Sequence, residues 1–338
     1  MSPSDAESAT SRTLDELNLV NAGYVADLYE RYCADPASVD PEWRGLFDAG
    51  AGGFEPVEAS ASSYNGQVEV TTPPQAPSAP AAAAAPEEKG LVPEGATPIK
   101  GPAARLAQNM KASLTVPTAT SFREVDVAAL ETRRRELNGQ IAPRKVSFTH
   151  LIGWAIVQAA GDLRSMSHYY TEVDGQAYRV DPGAINLGLA VDVERPDGSR
   201  FLVVPVIRAA DSVDFGAFHA RYEEIVEKAR GNKLSPDDFS GATITLTNPG
   251  TLGTSASVPR LMPNQGTIVA TGTIRSVGDE RRMTISSTYD HRVIQGAESG
   301  VFLQRIEGLL AGENEFYETL FRGMGTETTA SAAQEPAE

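Results

Sequence analysis

"SSTYDHRVIQGAESGVFLQRIEGLL", residues 286–310, decides how this chain folds. It opens as a strand, "TISSTYD", and continues as a helix, "GAESGVFLQRIEGLLAG". Its one histidine, His291, falls at the join, just before Gly296. A strand end where the backbone turns is a usual address for catalytic groups. Spacing alone leaves two readings open: a generic histidine closing a strand, or a general base held ready for a substrate.

Upstream, "GATITLTNPGTLGT" reads as a strand running into a Gly/Pro-rich bend. Thr247 is its last polar residue, followed by Asn248, Pro249 and Gly250. By itself Thr247 reads as a threonine closing a strand before a turn. Its hydroxyl can also donate to a developing oxyanion. Around these segments strands and helices interleave. "SFTHLIGWAIVQAAGDL" is a buried helix capped by Ser147, "DVAALETRRRELNGQ" a helix with Asp126 as its cap, and "GPAARLAQNMKASLTV" a helix opened by Pro102. "INLGLAVDVERPDGSRFLVVPVI" gives two strands around a Pro-Asp-Gly-Ser turn. The class is α/β or α+β, with a mostly antiparallel or mixed sheet and flanking helices. His150, on an apolar helix, His219, on an amphipathic one, and His168, after a helix end, read as structural or solvent-facing.

The domain so built covers residues 98–324. Residues 1–20 and 325–338 read as disordered, and residues 49–97, with "TTPPQAPSAPAAAAAPEEKG", as a semi-rigid Pro/Ala linker. Residues 21–48 read as two short helices. Val25, Leu28, Tyr29 and Tyr32 share one face, and Asp40 and Pro41 open the second helix, which carries Trp43, Leu46 and Phe47. So short an arm cannot bury a core of its own. The expectation is that its aromatic face docks on another surface; packing back on the chain's own domain is the alternative.

A formal charge of −16 argues against nucleic-acid binding, which needs a basic surface. Cys33 is the only cysteine, so no internal disulfide and no CxxC metal site exists, which fits a reducing compartment. No secretory signal or membrane span is evident. The expectation is a cytoplasmic protein with no membrane partner.

Six stretches, in order, carry a resemblance: "REVDVAAL", "VSFTHLIGWAIVQA", "INLGLAVDV", "FLVVPVI", "NKLSPDDFSGATITLTNPGTLGT" and "STYDHRVIQGAESGVFL". Together they resemble the catalytic domain of the dihydrolipoamide acyltransferases, the E2 components of 2-oxo acid dehydrogenase complexes. The resemblance implies a chloramphenicol-acetyltransferase-like domain with a mixed sheet and flanking helices, preceded by a helical arm and a disordered linker. "NAGYVADLYERYCADPASVDPEWRGLFD" resembles the N-terminus of 2-oxoglutarate dehydrogenase E1 proteins. Arm, linker and domain in one chain resemble the fused actinobacterial multifunctional 2-oxoglutarate dehydrogenases, in which a thiamine-diphosphate-dependent part would follow; the chain stops at Glu338 without one.

The implied chemistry is acyl transfer, of succinyl or a related group, between dihydrolipoamide and coenzyme A. Little of a free thiol is ionised at neutral pH, so a neutral imidazole that takes its proton contributes roughly 10²–10⁴ in rate. The resemblance places His291 in that role and Thr247 at the oxyanion, with Arg292, Gln295 and Asn248 in support. It implies a homotrimer whose neighbouring subunits contribute the two groups to a channel. It also implies work alongside E1 and E3 components. One departure stands out. The family pattern is His-x-x-x-Asp-Gly, and Gln295 occupies the Asp position. An amide keeps a hydrogen bond but not a charge, so the site either uses a different partner, with Lys111 or a nearby Arg as the cation, or is weakened. The rival reading is a non-catalytic trimeric assembly core. Lys89 lies in linker sequence with no lipoyl-domain pattern around it, so the lipoyl arm is expected in trans on a lipoylated E2-type protein. No thiamine-diphosphate, dinucleotide or metal motif is evident.

Overall fold

The computed structural model describes residues 21, 24–50, 93–99, 101–194, 198 and 200–328. The expected disorder of residues 1–20, most of the linker with Lys89, and most of the tail lie outside the described residues.

Helix α1 spans residues 24–34 and α2 spans Pro41–Asp48, where Asp40 accepts the Glu42 N–H at 2.9 Å, the cap its sequence announces. The main domain opens with α3 (Gly101–Ser113), β1 (Thr118–Asp126), α4 (Ala128–Gln140) and α5 (Phe148–Asp162). Hairpin β2 (Tyr169–Val173) and β3 (Gln176–Val180) follows, then β4 (Leu187–Leu189), β5 (Val191–Glu194), β6 (Arg200–Val203) and β7 (Val206–Ile207). The chain continues with α6 (Phe215–Arg230), β8 (Ile244–Thr247), β9 (Thr267–Thr271), β10 (Arg275–Val277) and β11 (Glu280–Asp290). Helices α7 (Gly296–Ala311) and α8 (Phe316–Gly323) close it.

The central sheet has the order β1-β11-β9-β8-β4-β7, with β10 beside β11. It is mixed, as expected: β9, β8 and β4 run parallel, and β1, β11 and β7 run against their neighbours. Helix α5 is buried along most of its length and lies between sheet and α6; a Cβ on Gly153 would touch Leu187 of β4, Leu246 of β8 and Phe218 of α6. Ser147 caps α5 by accepting the His150 N–H at 3.2 Å. Asp126 serves α4 from one residue further out than a usual cap: it accepts the Ala128 N–H at 2.8 Å, and Val127 holds the cap position.

Two expectations are corrected. The stretch read as two strands around a turn forms four. Leu189 donates to Pro205 O at 2.8 Å, and Pro205 has no N–H to continue a ladder. The chain therefore divides there into β4 and β7, in the sheet, and β5–β6, a separate ribbon.

The second correction concerns the arm, whose aromatic face is buried on its own chain. Tyr24 and Trp43 are 0% and 1% exposed. The Tyr24 ring lies 5.2 Å from Phe239 and 6.4 Å from Phe201. Trp43 Nε1 donates to Leu234 O at 2.9 Å, and Asn21 Oδ1 accepts the Val204 N–H at 2.6 Å. Burial of such an aromatic stabilises by about 1.5–3 kcal/mol. A tether makes this contact intramolecular, so it competes well against a separate partner. Among the described residues no helix is long and apolar enough to cross a membrane.

Candidate active site

Thr247 ends β8, and Asp290 ends β11 one residue before His291. The register places them at opposite ends of the sheet. Thr247 pairs with Ala270 of β9, and Ala270 with Ser286 of β11; Tyr289 pairs with Thr267, which pairs with Ile244 at the start of β8. His291 therefore lies about 17 Å along the strand from the level of Thr247, at ~3.4 Å per residue, and two strands across. One chain does not bring imidazole and hydroxyl within hydrogen-bond reach.

At the histidine end the backbone is pinned from several sides. The His291 N–H donates to Pro117 O at 2.9 Å, and the N–H groups of Val293 and Ile294 return to Asp290 O. The Asp290 carboxylate is buried and accepts Arg292 Nε at 2.9 Å, Nη2 at 2.7 Å and the Arg292 backbone N–H at 3.0 Å. These bonds push the Arg292 guanidinium further up. That guanidinium lies 3.9 Å from the centre of the Tyr170 ring, on hairpin β2–β3. Between these anchors His291 is exposed, with the Tyr289 ring 5.6 Å from its own.

Gln295 is exposed at the N-cap of α7, where its N–H donates to Glu298 Oε2 at 2.7 Å. The first-turn carboxylate is thus Glu298, favoured by the helix dipole and 3.8 Å from Arg179. Lys111 lies in the last turn of α3 and makes no ion pair among the described residues.

At the other end Thr247 is half-buried and lines a cavity of about 400 Å³. Thr245, two residues back on the same strand face, and Ile268 share its wall. The turn that follows is held tightly. Asn248 Nδ2 donates to Thr149 Oγ1 on α5 at 3.0 Å. A Cβ on Gly250 would fall 2.3 Å from the backbone of Gly272, so that position requires glycine. Sequence reasoning missed Thr149 and Tyr170; each acts across the fold, with no local pattern to mark it.

The other histidines are packed into structure. His168 Nδ1 accepts Arg179 Nε at 2.8 Å. His150 and His219 are buried, and with Glu223 they form a three-residue group of possible ligands. The bonding argues against a metal there. His150 Nδ1 accepts the Ser147 N–H at 2.9 Å, so its proton sits on Nε2 and leaves no lone pair. His219 Nε2 donates to Lys145 O at 2.9 Å.

Residues 93–317 match the family described as 2-oxoacid dehydrogenases acyltransferase (catalytic domain), and residues 17–53 match the 2-oxoglutarate dehydrogenase N-terminus. A multifunctional 2-oxoglutarate metabolism enzyme of Mycolicibacterium vanbaalenii is 39% identical, over 90% of this chain and 29% of that protein. A 2-oxoglutarate dehydrogenase E1/E2 component of Corynebacterium glutamicum is 37% identical, over 91% and 28%. The chain thus spans less than a third of these relatives. Among solved structures, the dihydrolipoamide acetyltransferase of Azotobacter vinelandii is 29% identical with a TM-score of 0.55, covering 62% of this chain and 88% of that one. The cubic core of a pyruvate dehydrogenase multienzyme complex gives 28% and 0.56, covering 68% and 96%. With more than half its length matched, the chain belongs to the 2-oxoacid dehydrogenase acyltransferase family and carries a 2-oxoglutarate dehydrogenase N-terminal segment ahead of the acyltransferase domain.

Proposed function

We propose that this chain moves a succinyl group between a dihydrolipoyl arm on a partner protein and coenzyme A, at a site shared by two copies of itself. It would do so within a 2-oxoglutarate dehydrogenase complex of the tricarboxylic acid cycle, alongside E1 and E3 components. The N-terminal segment ties the chain to 2-oxoglutarate, whose decarboxylation leaves a succinyl unit.

The observation that carries the reading is the separation of Thr247 and His291 at opposite, accessible ends of one sheet. A twofold interface joins like surfaces. A head-to-tail interface that closes into a ring joins unlike ones, so the histidine end of one copy meets the threonine end of the next. A homotrimer is the ring this family resemblance implies.

In such a site His291 takes the proton of the attacking thiol as its sulfur bonds to the thioester carbonyl carbon. The carbonyl electron pair moves to oxygen, which accepts a hydrogen bond from the Thr247 hydroxyl. When the carbonyl reforms, the original C–S bond breaks and the departing sulfur recovers the proton from His291. In the Azotobacter vinelandii acetyltransferase, a serine, a histidine and an asparagine four positions after it are the residues studied for the catalytic mechanism. Gln295 holds the matching place after His291 and is likewise an amide, which supports an intact site.

The second reading, a non-catalytic assembly core, draws on that same Gln295, which cannot make the ion pair of an aspartate. Purified protein given succinyl-CoA and dihydrolipoamide separates the two. Transfer that disappears in His291→Ala supports the enzyme; absence of turnover in the wild type supports the scaffold. Mixing His291→Ala with Thr247→Ala chains tests the shared site. Random exchange in a ring should restore about a quarter of the sites, whereas a site within one chain would regain none.

A further inference from the structure

The cavity beside Thr247 has mostly apolar walls, including Leu106, Phe201 and Met262, and two arginines are among the residues that line it. They differ in what holds them. Arg200 is taken by two carboxylates, Asp192 Oδ2 at 2.8 Å from its Nε and Glu194 Oε2 at 3.1 Å from its Nη1. Its charge is more than balanced. Arg260 makes no ion pair and no hydrogen bond among the described residues and is exposed at the same cavity. In a chain of net charge −16, a cation beside Thr247 with no carboxylate against it is an uncommon allocation.

We infer that Arg260 reads the free carboxylate of the acyl group, making this cavity selective for thioesters of a short dicarboxylic acid. The inference rests on the acyl-transfer reading and names the substrate class of that site. A chain of four carbons with a thioester at one end places its far carboxylate a few bond lengths from the reacting carbon. With that carbon at the Thr247 hydroxyl, the carboxylate falls within the same cavity. The two methylenes between would lie against apolar walls. A guanidinium is the suited partner, because its planar fork meets both carboxylate oxygens while staying charged. The neighbouring Thr245 is already engaged, its hydroxyl donating to Gln265 Oε1 at 2.8 Å.

The test compares succinyl-CoA with butanoyl-CoA, a donor of equal chain length without the carboxylate, in transfer to dihydrolipoamide by the full chain. Arg260→Gln should lower kcat/KM for the succinyl donor by about ten- to a hundredfold, the loss of a charge-assisted bond, and leave the butanoyl donor within about twofold. Arg260→Lys should recover part of the preference. Arg200→Gln should leave the succinyl-to-butanoyl ratio unchanged. Equal losses with both donors, or none with either, would overturn the assignment. Calorimetric binding of the two thioesters gives a readout independent of turnover. If the wild type transfers neither donor, the acyl-transfer reading fails; Arg260 stands only if Arg260→Gln still weakens binding of the succinyl thioester selectively, and an unchanged binding ratio ends it.

Discussion

The hydroxyl of Tyr24 closes on both backbone groups of Leu234, accepting its N–H at 2.8 Å and donating to its carbonyl at 3.1 Å. Burial pushes that phenol far above the ordinary tyrosine range, so it remains a donor at any working pH. The residue that fixes the arm therefore lies 210 positions away, in the loop before Phe239.

Tyr24→Phe leaves the Leu234 N–H buried without a partner, although Trp43 still serves the carbonyl. The expected cost is about 1–3 kcal/mol, and Trp43→Ala should cost about 3–5 kcal/mol. Both are measured by urea unfolding. Removal of residues 1–48 should lower the Tm of the main domain and promote self-association, because Phe239 and Phe201 lose their cover. An arm-less chain with unaltered Tm and monodispersity would show that the contact contributes nothing.

Asn248 is tied to Thr149, so α5 holds the turn that carries Thr247. Thr149→Val keeps shape and removes the acceptor. We expect kcat for acyl transfer to fall about tenfold with little change in KM, the pattern of an interaction used in the transition state. Thr149→Ser should restore it. A rise in KM with kcat unchanged would assign Thr149 to substrate binding instead.

Asp290 and Arg292 form a bridge around His291, with the carboxylate 2% exposed. Asp290→Ala removes the acceptor of the Arg292 side chain and backbone N–H; the guanidinium left behind is exposed and stays solvated, so the expected cost is about 1–3 kcal/mol. Asp290→Asn keeps an acceptor for Arg292 and should lose less. Thermal unfolding ranks the three proteins; a reversed order of the two variants would show that the bridge does not hold His291 in place.

What was legible in the sequence was local. Ser147 before an apolar helix, Asp40 before Pro41, and His291 between a strand and a helix are patterns spanning a few residues, and each stands where expected. The separation of Thr247 from His291 depends on strand order, β11 beside β9 beside β8, which no short stretch encodes. The same holds for Thr149 beneath Asn248 and for the arm. Amphipathic helices announce that they will be covered, not by what; the covering groups, Leu234 and Phe239, belong to a distant loop.

His150 supplies a test by pH. Its ring is buried between His219 at 4.6 Å and Tyr222 at 4.0 Å, and burial, with the neighbouring His219, pushes it down to about 3. Glu223 Oε1 lies 2.8 Å from Nε2 but off the hydrogen-bond direction, and its side chain is 56% exposed. Solvent screens that attraction, so desolvation wins. The folded value lies below the unfolded one near 6.5. The unfolded chain therefore binds more protons between these values, and the stability that the neutral ring contributes is full above 6.5 and lost as pH falls toward 3. At pH 5 the loss should be about 2 kcal/mol. His150→Gln preserves the Ser-x-x-Gln cap and cannot titrate. Urea midpoints at pH 7 and pH 5 should show the wild type losing about 2 kcal/mol more than this variant, since the remaining titrating groups are common to both. Parallel losses in the two proteins would mean that the ring is already relieved by Glu223 and that this pair, rather than burial, sets its protonation.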